Sequence, residues 1–130
     1  MIMSRIRISG VDQYLHENMT WMRALEFYLQ ENSYLKTRLS QVLDNNTDKD
    51  FIAQAEHFQN SFVHNDECIK DLKSDVLELQ RLLKDPQRLP KMDEKLMSQK
   101  HRKLYNEMGY FEKNFAGLRN EFNQYLGSLM

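Results

Sequence analysis

The chain has 130 residues, of which 41% are hydrophobic and 28% charged, and its formal net charge is -1. This length suits one domain with its own core, and the small net charge excludes a general electrostatic attraction to nucleic acid or acidic membranes. With 4 Gly and 2 Pro, the composition disfavours an all-β fold with many turns and predicts an all-α protein.

The first predicted helix covers residues 10–43 and follows an N-terminal arm of residues 1–8. Ser9 and Asp12 have the spacing of a helix cap at its start. Steps of three and four residues then define a mostly apolar seam. Its members are Ile8, Val11, Leu15, Asn18, Met22, Leu25, Leu29, Asn32, Lys36, Leu39 and Leu43. A second stripe beside the seam contains Tyr14, Trp21, Tyr28, Leu35 and Val42. So wide an apolar face predicts two neighbouring helices.

The second predicted helix covers residues 48–84, and Thr47 with Asp50 repeats the capping spacing at its start. Its seam is the clearest periodic pattern in the chain. The seam contains Phe51, Ala55, Phe58, Phe62, Asn65, Ile69, Leu72, Val76, Leu79 and Leu83.

The third predicted helix covers residues 91–126, because Pro86 and Pro90 interrupt the pattern before it. Its seam contains Met97, His101, Leu104, Met108, Phe111, Phe115, Leu118, Phe122, Tyr125 and Leu129. Similar helix lengths and short loops predict one domain, an antiparallel up-down-up bundle with coiled-coil-like packing over residues 1–130. With a Trp on the first helix, this arrangement resembles the architecture of a spectrin-type repeat, and the resemblance implies nothing about function.

Three seam positions carry Asn, namely Asn18, Asn32 and Asn65. A buried Asn fixes the register of packed helices, because a slipped helix leaves its amide without a partner. Folding the helices back at their loops places Asn65 level with Tyr28 and Tyr110, and Lys36 near Glu56.

The sequence contains no helical metal motif, Walker loop or dinucleotide fingerprint, so we expect a protein that is not an enzyme and has no cofactor. A stripe on helix 2 holds the candidate metal ligands His57, His64, Cys68 and Asp71, interspersed with Ser61 and Asp75. Imidazole, thiolate and carboxylate groups can ligate a transition metal, which makes a metal- or small-ligand-binding bundle the alternative function. The competing interpretation is a solvated helix flank.

We interpret His101, on the seam of helix 3, as a partly buried, hydrogen-bonded structural residue.

The primary functional prediction is a protein that binds other proteins, including a second copy, through helix surfaces. We expect two groups of residues to form the interface. The aromatic group is Tyr14, Trp21 and Tyr28, and the small-residue group is Gly109, Ala116 and Gly117. Aromatic residues bury large areas at interfaces, and glycine permits the close approach of another helix.

Positive charge concentrates at one predicted end of the bundle. This basic end consists of Arg5, Arg7, Arg81, Lys84, Arg88 and Lys91. It makes an adaptor that contacts nucleic acid a weaker alternative, and the lack of interleaved aromatic residues argues against nucleic acid.

We expect no membrane insertion and a cytoplasmic location, because there is no long uncharged apolar stretch and Cys68 has no second cysteine to pair with.

Overall fold

The computed structural model describes residues 2–44, 48–85 and 94–129, with side chains from residue 10 onward. Within this part of the chain there are three helices and no strands. They are α1 (Ile2–Leu43), α2 (Lys49–Lys84) and α3 (Glu94–Ser128). The helices pack as a three-helix bundle, which confirms the predicted all-α fold class.

The predicted start of helix 1 is wrong. The α1 backbone is helical from Ile2, so the stretch assigned to an N-terminal arm belongs to the helix. Gly10 has no positive φ and lies inside α1. A glycine in a helix costs only about 1 kcal/mol relative to alanine, so it does not by itself end a helix.

The start of α2 differs by one residue from the prediction. Asp48 is the N-cap, and its carboxylate accepts a hydrogen bond of 2.9 Å from the backbone N–H of Asp50. The carboxylate satisfies a free donor of the first turn and interacts favourably with the helix dipole. Thr47, the predicted cap, lies outside the described residues. At the other end, α2 stops at Lys84 as predicted.

The core follows the predicted seams of α2 and α3 closely. All ten seam residues of α2 are buried. In α3 the seam is buried from Met97 to Tyr125, except that Leu118 is only partly buried. The last predicted position, Leu129, is 40% exposed, and Leu126 is buried in its place. Leu129 follows the last helical residue, so the heptad spacing no longer directs its side chain toward the core.

The core of α1 is shared between its two predicted stripes. Among residues 10–43 of this helix, the buried apolar side chains are Trp21, Leu25, Leu35 and Leu39, of which Trp21 and Leu35 belong to the second stripe. Met22 and Leu29, from the first seam, are only partly buried. Because α1 packs against both other helices, its buried face is centred between the stripes, as the two-neighbour prediction requires.

The three helices pack unequally. α1 lies closest to α2, and α1 and α3 approach each other least. Aromatic side chains from α1 occupy the wider gap, where the Tyr28 ring lies 5.5 Å from Phe111 and 5.0 Å from Phe115. Large rings suit this position because they span a separation that aliphatic side chains would leave partly empty.

A polar cluster joins α1 to α2 near the middle of the bundle. The Asn32 side-chain amide donates to the Phe62 carbonyl at 2.8 Å and to the Asp66 carboxylate at 2.7 Å. The Lys36 ammonium also binds Asp66, so the predicted proximity of Lys36 to Glu56 is wrong. The prediction assumed that α1 ends level with the start of α2, whereas these contacts shift the register by several residues.

Candidate interaction surfaces

The aromatic stripe predicted as an interface belongs to the bundle itself. Trp21 is buried, and Tyr14 and Tyr28 are partly buried against the core. Their rings contact α3, so they hold two helices of the same chain together. This corrects the assignment of these three residues to an external surface, because the third helix covers the wide apolar face from which that surface was inferred.

His101 of α3 lies between two rings of α1. Its imidazole is centred 4.2 Å from the Tyr14 ring and 4.9 Å from the Trp21 ring system. Nε2 pairs with the Glu17 carboxylate, and buried Nδ1 has no hydrogen-bond partner among the described residues. The structure therefore confirms His101 as a buried, hydrogen-bonded residue, and its environment fixes the ring against α1.

Exposed aromatic side chains of the described residues include Phe27 and Tyr34 of α1 and Tyr105 of α3. Phe27 is 54% exposed, Tyr34 58% and Tyr105 63%. The Phe27 ring meets that of Tyr28 at 5.6 Å, and Tyr34 follows one heptad later on the same face of α1. We call Phe27, Tyr34 and Tyr105 the α1–α3 aromatic surface.

The position of Tyr105 follows from the surroundings of Tyr28. Burial raises the pKa of the Tyr28 hydroxyl, the Glu112 carboxylate raises it further, and the Arg119 guanidinium lowers it. Glu112 and Arg119 are one heptad apart on the side of α3 that faces α1, and Tyr105 is one heptad before Glu112. The seam analysis misses Phe27, Tyr34 and Tyr105 because they lie outside the seams. The available signal is the heptad spacing of Phe27 and Tyr34 beside the second stripe of α1.

The predicted small-residue group divides between two flanks of α3. Gly109 and Ala116, one heptad apart, share the flank that faces α1, whereas Gly117 lies toward α2. A Cβ added at Gly109 or Gly117 would meet no described atom within 4 Å. Neither glycine is therefore needed for close packing among the described residues, and Gly109 leaves open space one turn from Tyr105.

The candidate metal ligands of α2 are only partly brought together. Sγ of Cys68 lies 3.4 Å from Nε2 of His64, one turn away. His57 is two turns from His64, and its ring packs on Phe58. No group of three or more His, Cys, Asp or Glu side chains in the described residues is arranged to hold a metal ion. The predicted set of His57, His64, Cys68 and Asp71 therefore does not form a site within one chain.

The Cys68 side chain of α2 is partly buried against the core. Burial raises its pKa, and the Asp71 and Glu67 carboxylates raise it further. A raised pKa favours the neutral thiol, so this cysteine lacks the electropositive environment of an activated nucleophile.

Shallow grooves run between α2 and α3. One, of about 410 Å³, is lined by His57, Ser61 and His64 of α2 and by Asn114 and Leu118 of α3, among others. A second, of about 570 Å³, shares His57 and extends toward Glu121 and Tyr125. These grooves leave His57, Ser61 and His64 uncovered by α3.

The predicted basic end is described only in part. Arg81 and Lys84 are exposed near the end of α2. The side chains of Arg5 and Arg7, together with Arg88 and Lys91, lie outside the described residues. The clustering of these six cations therefore stays a prediction.

Comparison with protein families, with curated proteins and with solved structures finds no match to this chain. In the described part of the chain, no helix has both the length and the apolar character that a membrane span requires.

Proposed function

We propose that this protein is a non-enzymatic helical interaction protein that binds a protein partner through the α1–α3 aromatic surface. The observation that carries the proposal is the exposure of Phe27 and Tyr34 on one face of α1 and of Tyr105 on the α1-facing side of α3, each more than half accessible. Aromatic residues are enriched in the cores of protein interfaces, where they bury a large area with few rotatable bonds.

The surface is supported from beneath by the packed rings of the core. Phe27 contacts Tyr28, and Tyr28 contacts Phe111 and Phe115, so the exposed ring rests on ordered neighbours. An ordered aromatic anchor loses less conformational entropy on binding than a free side chain.

Charged residues of both signs lie near Tyr28, the residue on which Phe27 packs. Glu112 and Arg119 lie close enough to the Tyr28 hydroxyl to change its pKa in opposite directions. An apolar centre with a mixed polar rim is the usual anatomy of a protein interface. By contrast, nucleic acid binding relies on concentrated positive charge, so this rim favours a protein partner, which includes a second copy of the chain.

The non-enzymatic part of the proposal draws on the surroundings of the titratable groups. His101 is enclosed by Tyr14, Trp21 and Glu17, and Cys68 is held as a neutral thiol. Neither arrangement presents an activated base or nucleophile to a substrate.

Photocrosslinking in the native cell tests the proposal. A benzophenone amino acid replaces Phe27 in one variant and Tyr105 in a second, and exposed Lys70 of α2 in the matched control. We expect a protein adduct of the same defined mass from the first two positions and none from the control. Equal labelling at all three positions, or no adduct at Phe27 and Tyr105, would overturn the proposal.

A further inference from the structure

The His64 and Cys68 side chains of α2 have the geometry of one half of a tetrahedral metal site. Zinc binds Cys sulfur at about 2.3 Å and His nitrogen at about 2.0–2.1 Å, so two such ligands at the tetrahedral angle are about 3.6 Å apart. The observed separation of Sγ and Nε2 is 3.4 Å. The pair therefore needs little rearrangement to chelate one ion, and it lacks the other two ligands of a closed site.

The stripe that contains this pair is symmetric about Asp66. His64 and Cys68 are two residues from this centre, Ser61 and Asp71 five, and His57 and Asp75 nine. Two copies of α2 packed antiparallel about this centre would bring each residue opposite its counterpart in the other copy. Asp66 itself binds Asn32 and Lys36 of α1, so it lies on a different face of α2.

The outer and central opposed residues are chemically complementary. His57 would face Asp75 of the second copy, which pairs an imidazole with a carboxylate. Ser61, whose hydroxyl donates to the His57 carbonyl at 3.0 Å within its own helix, would face Asp71. At the centre, the two His64–Cys68 pairs would supply two nitrogen and two sulfur ligands around one point, the donor set of closed structural zinc sites.

We propose that two copies of this chain associate through antiparallel α2 helices and bind one zinc ion with His64 and Cys68 of both copies. This interface is separate from the α1–α3 aromatic surface. It adds to the proposed function a second contact, whose partner is another copy of the chain. It is accessible, since His57, His64, Asp71 and Asp75 are exposed and the grooves toward α3 are open.

The charge balance of the site favours a divalent cation. Each Cys68 thiol loses its proton to solvent as its sulfur binds the metal, so one zinc ion releases two protons and is neutralised by two thiolates. Asp71 and Glu67, which disfavour a bare thiolate, also create the negative potential that attracts the cation. No oxidant or reductant is required.

Sedimentation velocity of the intact protein tests the proposal, with zinc chloride or with a chelator. We expect a monomer-sized species in chelator and a dimer-sized species with zinc, at one ion per two chains by elemental analysis. Cobalt substituted for zinc should give the visible absorption of a tetrahedral site and the charge-transfer band of a thiolate ligand. Cys68→Ala and His64→Ala should each abolish the zinc-dependent dimer.

Exchanging the residues at positions 57 and 75 distinguishes the proposed helix–helix contact from simple crosslinking by the metal. His57→Asp would oppose two carboxylates in the dimer and should weaken zinc-dependent association about tenfold or more. The double variant His57→Asp, Asp75→His restores an imidazole opposite a carboxylate and should recover association. His16→Asp, at an exposed position on α1, is the matched control and should have no effect.

Three results would overturn this inference: binding of one zinc per chain without a change in mass, no zinc binding at micromolar concentration, or a zinc-dependent dimer that persists in Cys68→Ala. None of them bears on crosslinking at Phe27 or Tyr105, so the failure of this inference is distinguishable from failure of the proposed function.

Discussion

The side-chain amide of Asn32 donates to the carboxylate of Asp66 across the α1–α2 interface at 2.7 Å. Asp66 at the same time binds the Lys36 ammonium, so one carboxylate serves two donors from consecutive turns of α1. A slip of α2 by one residue would remove both contacts and would also turn the apolar seam away from the core. The pairing therefore specifies the register of α1 and α2.

Asp66→Ala should destabilise the protein by about 1–3 kcal/mol, because it leaves the buried Asn32 amide short of a partner. Lys36→Met, which removes the more exposed half of the same cluster, should cost less than about 1 kcal/mol. Urea unfolding of both variants measures the difference. Equal losses would show that the ion pair, rather than the amide contact, dominates.

The two fully buried asparagines of α1 should respond oppositely to the same substitution. Both amide atoms of Asn18 are buried without a partner among the described residues, whereas the Asn32 amide nitrogen makes two hydrogen bonds. Asn18→Leu should therefore stabilise the protein by about 1 kcal/mol or more, and Asn32→Leu should destabilise it by about 1–3 kcal/mol. Denaturant midpoints report both signs. A destabilised Asn18→Leu variant would contradict the expectation and indicate that the amide has a partner such as buried water.

Phe62→Ala and Phe115→Ala should each cost about 3–5 kcal/mol, because each leaves a large cavity in the core. Both rings are almost inaccessible, at 0% and 1% exposure. Tyr110→Ala is the matched control, since this ring is 72% exposed and exposed substitutions usually change stability by less than about 0.5 kcal/mol. Losses below about 1 kcal/mol for both core variants, measured by chemical unfolding, would contradict the core assignment.

Alkylation of Cys68 by iodoacetamide should show a pH dependence displaced to high pH. Burial, Asp71 and Glu67 all raise the pKa of this thiol, and the thiolate is the reactive form. In metal-free protein, Asp71→Asn should lower the midpoint of the rate profile, and Glu56→Gln, several turns away, should leave it unchanged. A midpoint at or below that of the unfolded chain would contradict the predicted direction.

The same shift links Cys68 to stability. A group whose pKa is higher in the folded state than in the unfolded state favours folding while it is protonated. Its contribution is fully present below the unfolded pKa and is lost as pH rises through the folded value. Cys68→Ser should therefore reduce the alkaline loss of stability.

The seam of α2 was predictable residue by residue, because a strict heptad spacing places every member on one face. The face of α1 was harder to assign. Its two stripes correctly indicated two neighbours, but spacing alone does not show how far α3 lies from α1. For this reason Trp21 and Tyr28 were predicted as a surface, although they fill the gap between these helices.

The candidate sites were less predictable than the fold. Helical spacing correctly places His64 next to Cys68. Spacing alone does not show whether the side chains of His57 and Asp71 come close enough to join them in a metal site, because that depends on the rotamers and on the length of each turn. The exposed Phe27 and Tyr105 belong to different helices, and the spacing within one helix does not relate the positions of residues on two helices. Tertiary arrangement, which periodicity does not encode, decides both surfaces.

The looser approach of α3 to α1 has a consequence for motion. Native-state hydrogen exchange reports partial openings, in which the segment with the fewest close contacts separates first. We expect the amides of α3 to exchange through such an opening while α1 and α2 remain paired as a helical hairpin. That opening would uncover the ring faces of Tyr14, Trp21 and Tyr28 together. An aromatic surface that is buried in the closed bundle would therefore become accessible whenever α3 detaches.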